Sequence, residues 1–472
     1  MSNCFGTWGK WKDPLQTTNG PTRSSMKTVL PLLLLLAAAA AVPTSVMLPL
    51  DVINNDGQLS DAGKLKNQFS QLKAGGVDGI MTDVWWGLVE KQPKVYNFDA
   101  YKTMFHMARD AGLHVQAVLS FHKCGGNVGD SCNIPLPSWV LDIGKTNPDI
   151  FYQGPLRQPD DEYLSCGVDN IALFQGRTAV QLYSDFMNAF ASSLSDLLST
   201  TITEVQVGLG PAGEMRYPSY QLSKWKYCGI GGFQAYDKYL LAELKVAADN
   251  KKRPLWGLSP PSDAGDYNSM PSDTGYFSSR DHDSVHSKYG HFFNAWYFNR
   301  LLKHGSDILS QANSIFSPKR VEVAAKISGI HWWYDSDHHA AELTAGYQNV
   351  NGVDAYLNIA KMFKRYNVTF DFTCLEMFDQ NDSCKSKAAT LVKQTRKAAV
   401  TAGVEYAGEN ALPICTDRGC SAAQLNQIVY QASNIKGHNI KQFTFLRLTD
   451  SLFNGSTWQQ FVGFVRDLTN KK

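Results

Sequence analysis

The 472-residue sequence carries almost no net charge: 45 Lys and Arg stand against 43 Asp and Glu, for a formal +2. With no basic stripe and no nucleic-acid motif, a nucleic-acid partner is not expected. Internal repeats and low-complexity stretches are missing beyond the N-terminal leader. The 11 histidines lack the spacing of a zinc site, so a metal hydrolase is not indicated and neither metal nor cofactor is expected. The longest apolar run, Val29 to Val42 (VLPLLLLLAAAAAV), is too short to cross a bilayer comfortably. Preceded by Met26-Lys27 and rich in small residues, it reads as a secretory signal over 26–45 behind a polar, unstructured extension over 1–25. Translation from Met26 is the alternative to that extension. A secreted protein, free of membrane once the signal is removed, is therefore expected.

What is present is ordinary globular composition. Hydrophobic residues make up 43% and charged residues 19%, enough for a sizeable core. Aromatics at 12% are compatible with a sugar-binding cleft but do not argue for one. Of nine cysteines, Cys4 leaves with the leader. Cys124 with Cys132, and Cys415 with Cys420, are close enough in sequence to be bridged in an oxidising compartment. Asn367, Asn381 and Asn454 head N-x-S/T triplets.

After the leader, short apolar runs alternate with amphipathic segments. Val46–Leu50 reads as a first strand. Ser60 is placed to cap a helix with Leu65, Phe69 and Leu72 on one face, ended by Gly75-Gly76. Gly79–Trp86 follows as a strand, then a helix with Tyr101, Met104, Phe105 and Ala108 inward, then the strand His114–His122. This alternation means βαβ units and a parallel sheet. Five further strands are expected over 204–209, 321–330, 368–375, 404–407 and 442–448. Eight in all predict a (β/α)8 TIM barrel over 46–472. The connections over 123–203 and 215–320 are too long for simple crossovers. They are expected to form a lobe over the catalytic face, an inserted second domain being the alternative.

Polar residues gather at the C-terminal ends of the strands, where a barrel places its chemistry. Two carboxylates across such a cleft can hydrolyse a glycosidic bond, one as acid and one as base. Glu214, Glu376, Glu409, Asp83, Asp130 and Asp450 all qualify by position, and position alone does not choose among them. A lone Glu after a glycine turn is ordinarily a solvated surface charge.

Longer motifs make the choice. MLPL followed by Asp56, DVWWG, SFHKCGGNVGD, NIPLPSWVLDIG, GLGPAGEMRYPSY, SGIHWWY, HAAELTAGY, FTCLEM, GENALP and FLRLTD occur in this order from Val46 onward. The sequence thereby resembles the β-amylase family, glycoside hydrolase family fourteen. The resemblance implies an inverting exo-hydrolase that releases β-maltose from the non-reducing ends of α-1,4-glucans. It implies Glu214 as general acid and Glu409 as general base. It also implies Asp56, His122, Asp130, Lys326, His331, Thr373, Asn410, Ala411, Leu412 and Arg447 as substrate contacts. The stretch around Asn127 to Asp130 resembles the family's closing loop, and a Cys124–Cys132 bridge is expected to clip its base. Cys374 resembles a family thiol near the cleft. If it is free, at least one more cysteine is unpaired.

Other readings are bounded by the same residues. Trp85 and Trp86 are expected in the core, with Trp332 and Trp333 divided between core and cleft. Asp83 is expected to bond neighbouring loops. Asp51 stands beside the site where plant members have glycine. The sequence ends soon after the eighth strand, so neither a long C-terminal tail nor a starch-binding domain is expected. A catalytically silent sensor of glucan or maltose is the main alternative, but it would be expected to damage the acid–base pair or the loop, and both are intact. A retaining glycosidase would need its carboxyls only about 5 Å apart. A monomer acting on α-1,4-glucan, with maltose as product, is expected.

Overall fold

The computed structural model describes residues 41–279, 283–433 and 439–470. Most of the expected leader, over 1–40, lies outside the described residues.

Eight parallel strands close into a barrel in sequential order. They are β1 Thr44–Met47, β2 Gly79–Trp85, β3 His114–Ser120, β4 Ile202–Val207, β5 Glu322–Ile327, β6 Val368–Phe372, β7 Tyr406–Glu409 and β8 Phe443–Phe445. This is the (β/α)8 TIM barrel that the strand–helix alternation predicts. Several strands are shorter than expected. After β3, β4, β5, β6 and β8 the chain leaves the ladder early, and the residues beyond turn toward the cavity as loops.

The outer helices include α1 Ala62–Ala74, α2 Asp99–Asp110, α3 Ala179–Ser193 and α4 Lys288–Phe316. They continue with α5 Ala355–Arg365, α6 Ala388–Ala402, α7 Ala422–Ala432 and α8 Gly455–Asn470. Leu65, Phe69 and Leu72 of α1 are buried as their spacing requires. Its cap, however, is Asp61, whose side chain accepts the Lys64 N–H. Ser60 instead donates to the Asp51 carbonyl at 2.9 Å. Both residue types cap well, and the carboxylate one position on meets the first turn. At α3, Thr178 and Gln181 form a capping box.

The barrel interior is polar on its floor. Glu204 accepts from Gln116 at 3.1 Å and from Gln442 at 2.7 Å. Above it, Gln206 donates to Asp371 at 2.5 Å. These side chains fill the barrel, as buried polar groups must, by satisfying one another.

The β3–β4 connection carries a hairpin, Phe151–Gln153 with Pro159–Leu164, before α3. Disulfides join Cys124–Cys132, Cys415–Cys420 and Cys228–Cys384, while Cys166 and Cys374 are free and buried.

Candidate active site

A cavity of about 870 Å³ opens at the C-terminal ends of the strands. It is lined by both Glu214 and Glu409. Glu214 follows β4 on a tight turn. Ala212 and Gly213 both take positive φ, 54° and 74°, a conformation costly for alanine and free for glycine. The turn then runs beside β5, where the Met215 N–H donates to the Lys326 carbonyl at 2.9 Å. Glu409 needs no such turn, being the last residue of β7.

Each carboxylate has one cation. Arg216 Nε donates to Glu214 Oε2 at 2.6 Å, and Lys326 Nζ lies 2.6 Å from Glu409 Oε1. Tyr220 Oη adds a longer contact to Glu214 Oε2 at 3.4 Å. Burial pushes the Glu409 carboxyl above its ordinary range, and Lys326 pulls it back toward the ionised form. Burial works against the Lys326 ammonium too, but Glu409 and Asp371 more than restore it.

The other carboxylates at strand ends have different work. Glu376 accepts the backbone N–H groups of Ala411 at 3.1 Å and of Leu412 at 2.8 Å, holding the loop after β7. Asp450 is on the surface, 2.7 Å from Lys64. Asp130 accepts from the backbone of Gly125 and Asn127 at 2.9 Å each, and still lines the cavity. Asp83 accepts from Ser120 at 2.7 Å, as a loop- or strand-bonding residue would, yet it too lines the cavity. Burial raises its pKa.

His122, Lys326, His331, Thr373, Ala411, Leu412 and Arg447 line the cavity with Asp130. His122 is held near 3 by burial and by the charges of Lys326 and Arg216, so its ring is neutral. Its Nδ1 has no hydrogen-bond partner among the described residues, and the same holds for Arg447 Nη1. Burial holds His331 near 4, and its Nδ1 is 2.7 Å from Ser386 Oγ. Leu412 projects, 39% exposed.

Two of the expected contacts are not among the residues that line the cavity. Asp56 is exposed in the turn after β1 and does not line the cavity. The Asn54 side chain accepts the N–H groups of Asp56 and Gln58 at 3.0 Å, folding that turn on itself. Asn410 is fully buried and also off the lining. Its amide donates to the carbonyls of Leu412 at 3.0 Å and Leu446 at 2.6 Å, tying the ends of β7 and β8. Asp51 is exposed and likewise off the lining.

The tryptophans divide between core and cavity as expected. Trp86 is core, donating to buried Glu90 at 2.6 Å. Trp85 is core as well and also borders the cavity, edge-on to His122, with its indole N–H on the Leu50 carbonyl at 2.9 Å. Trp332 lines the cavity with Tyr220, Trp225 and Tyr227, whereas Trp333 does not. Sequence reasoning passed over Arg216, Tyr220 and Asp371. Of these, Asp371 had a signal: in Val-Thr-Phe-Asp-Phe, period-two alternation places it opposite the phenylalanines, toward the barrel interior.

Comparison with known proteins agrees with this geometry. Residues 45–472 match the family described as Glycosyl hydrolase family 14. A β-amylase of Glycine max is 47% identical over 436 residues, covering 90% of this chain and 86% of its own length. β-Amylase 5 of Arabidopsis thaliana is 47% identical over 440 residues, with the same coverage. The crystal structure of the catalytic domain of a β-amylase from Paenibacillus polymyxa superposes with a TM-score of 0.75 at 30% identity, covering 92% of this chain and all of its own.

Proposed function

The chain belongs to glycosyl hydrolase family 14 and is a glycoside hydrolase of the β-amylase type; on that footing we propose that it releases β-maltose from the non-reducing ends of α-1,4-glucans with inversion. The observation that carries this reading is the placement of Glu214 and Glu409, on different strand ends, in one cavity with a cation beside each.

Glu214 donates its proton to the glycosidic oxygen as that bond breaks. Glu409 takes a proton from a water molecule whose oxygen bonds to the anomeric carbon from the opposite face. Attack from the far side inverts the configuration. For water to fit between base and sugar, the two carboxyls must stand roughly 6.5–9.5 Å apart in the complex. Lys326 favours the ionised base, which must accept the proton. Neutral His122 and the unpartnered Arg447 Nη1 are placed to meet sugar hydroxyls. Leu412 offers an apolar face to the glucan chain. Closure of the loop around Asn127 to Asp130 would exclude bulk water during the step.

We also propose secretion. The 26–45 segment reads as a signal, and three disulfides among the described residues fit an oxidising compartment.

Assays on soluble starch test the assignment. Glu214→Gln and Glu409→Gln are each expected to lose maltose release by several orders of magnitude while still folding. Retention of activity in either variant contradicts its role. Binding of glucan without product by the unaltered protein would favour the sensor.

A further inference from the structure

Three side chains, Arg216, Asn127 and Glu162, run from Glu214 through the loop after β3 to the hairpin beyond it. Arg216 is 1% exposed. Its Nε donates to Glu214 Oε2 at 2.6 Å and its Nη2 donates to Asn127 Oδ1 at 2.8 Å. The other end of the same amide, Asn127 Nδ2, donates to Oε1 of Glu162. Glu162 belongs to the hairpin strand Pro159–Leu164 and is fully buried. The Asn127 amide therefore stands between a buried guanidinium and a buried carboxylate, its acceptor toward the cation and its donor toward the acid.

Without that amide, Arg216 and Glu162 would face each other across a water-poor interior. Opposite charges attract strongly there, and an unpaired buried charge is costly. Glu162 would then compete with Glu214 for the same guanidinium. We propose that Asn127 is a neutral spacer that keeps Arg216 committed to Glu214, so that seating of the loop over 124–132 sets the position of the general acid and the charge it feels. This rests on the reading of Glu214 as that acid.

The spacer is built into the loop. The Asn127 N–H donates to Asp130 at 2.9 Å, the Gly126 carbonyl accepts the Leu222 N–H at 2.8 Å, and Cys124–Cys132 closes the segment. A loop that lifts carries the spacer out and frees the guanidinium.

The surrounding charges are consistent with this role. Burial, with Asp160 beside it, pushes Glu162 up to about 8, while Arg216 pulls it down. With the spacer in place Glu162 holds a proton more readily than an exposed carboxyl. Direct approach of Arg216 would favour its ionised form and an ion pair. Asp160 is itself held by Gln221 at 2.8 Å and Lys224 at 3.3 Å. Asp130 and His122 face the trio from the loop after β3. Glu214 in turn is faced by Tyr220, Tyr347 and Cys374, and by Glu409 across the cavity.

The experiment is the pH dependence of kcat/KM on soluble starch for N127A, E162Q and the double variant. The alkaline limb reports loss of the proton from the general acid. A cation beside a carboxyl lowers its pKa, so losing Arg216 raises it. In N127A the alkaline limb is expected to move up by about one pH unit, with kcat down about tenfold from misplacement of the acid. Removing the rival carboxylate in N127A/E162Q is expected to return the limb to its original position. An unshifted limb in N127A, or a shift that persists in the double variant, overturns the spacer. Should N127A fail to fold, N127S is read by the same criterion. E214Q separates the two ideas: if it retains hydrolysis, the acid assignment itself fails. If it is dead while the N127A limb is unmoved, only the spacer fails.

Discussion

Lys326 Nζ lies 2.6 Å from Glu409 Oε1, and both side chains are buried at the cavity lining. The pair joins β5 to β7 across the cavity floor, with Asp371 of β6 between them in strand order. Its sign matters for catalysis. Burial disfavours the ionised form of Glu409 that a base needs; the ammonium opposes that.

Replacement of Lys326 by Met is therefore expected to raise the Glu409 pKa further. The base must be ionised, so the acid limb of kcat/KM moves to higher pH. Activity at the optimum falls by about 100-fold. The abandoned buried carboxylate costs about 3–5 kcal/mol of stability. A pH–rate profile and thermal melts check both, and an unmoved acid limb contradicts the pairing.

Stability should fall as pH rises from the mildly acidic range through neutrality, for a definite reason. Glu162 is pushed up to about 8 and Asp237 up to about 7, each chiefly by burial. A carboxyl with a raised folded pKa binds its proton more tightly folded than unfolded. Its contribution is fully present below the unfolded value, near 4, and is lost as pH rises through the folded one. Tm is thus expected to decline between about pH 5 and 8, and less steeply in E162Q. Equal slopes for the two proteins would contradict the burial argument for Glu162.

Neither cavity histidine should titrate in the working range. His122 is held near 3 and His331 near 4. Their ring carbon-bound proton shifts in NMR are expected to stay flat from pH 5 to 8. A midpoint near 6.5 for either ring would place it in a wetter setting.

Cys228–Cys384 spans 156 residues, and the cleft wall hangs on it. Trp333 donates its indole N–H to the Cys228 carbonyl and its backbone N–H to the Cys384 carbonyl, both at 2.7 Å. Beside it, Tyr227, His331 and Trp332 line the cavity. The C228S/C384S variant is expected to lose a few kcal/mol of stability. Its KM for long glucans should rise several-fold with kcat little changed. A fall in kcat at constant KM would place the bridge's effect on the chemistry instead.

The barrel was legible because parallel strands buried on both faces alternate with helices buried on one, and each leaves its own period. The proposed acid and base were legible only through motifs, since glutamates at strand ends look alike. Asp56 came by motif alone: it lies in a turn folded by Asn54 and is not among the residues that line the cavity. Arg216 sits two residues from the acid within the quoted GEMRYPSY, yet nothing local says that it is buried. Its partners Asn127 and Glu162 come from the long β3–β4 connection. Cys228 and Cys384 escaped for the same reason: a bridge across 156 residues leaves no spacing to read.

The central claim is that Glu214 and Glu409 act from opposite faces of the sugar. The most direct test follows the anomeric proton of the first product released from soluble starch by NMR, before mutarotation. The account predicts maltose in the β configuration. Fresh α-maltose would contradict it.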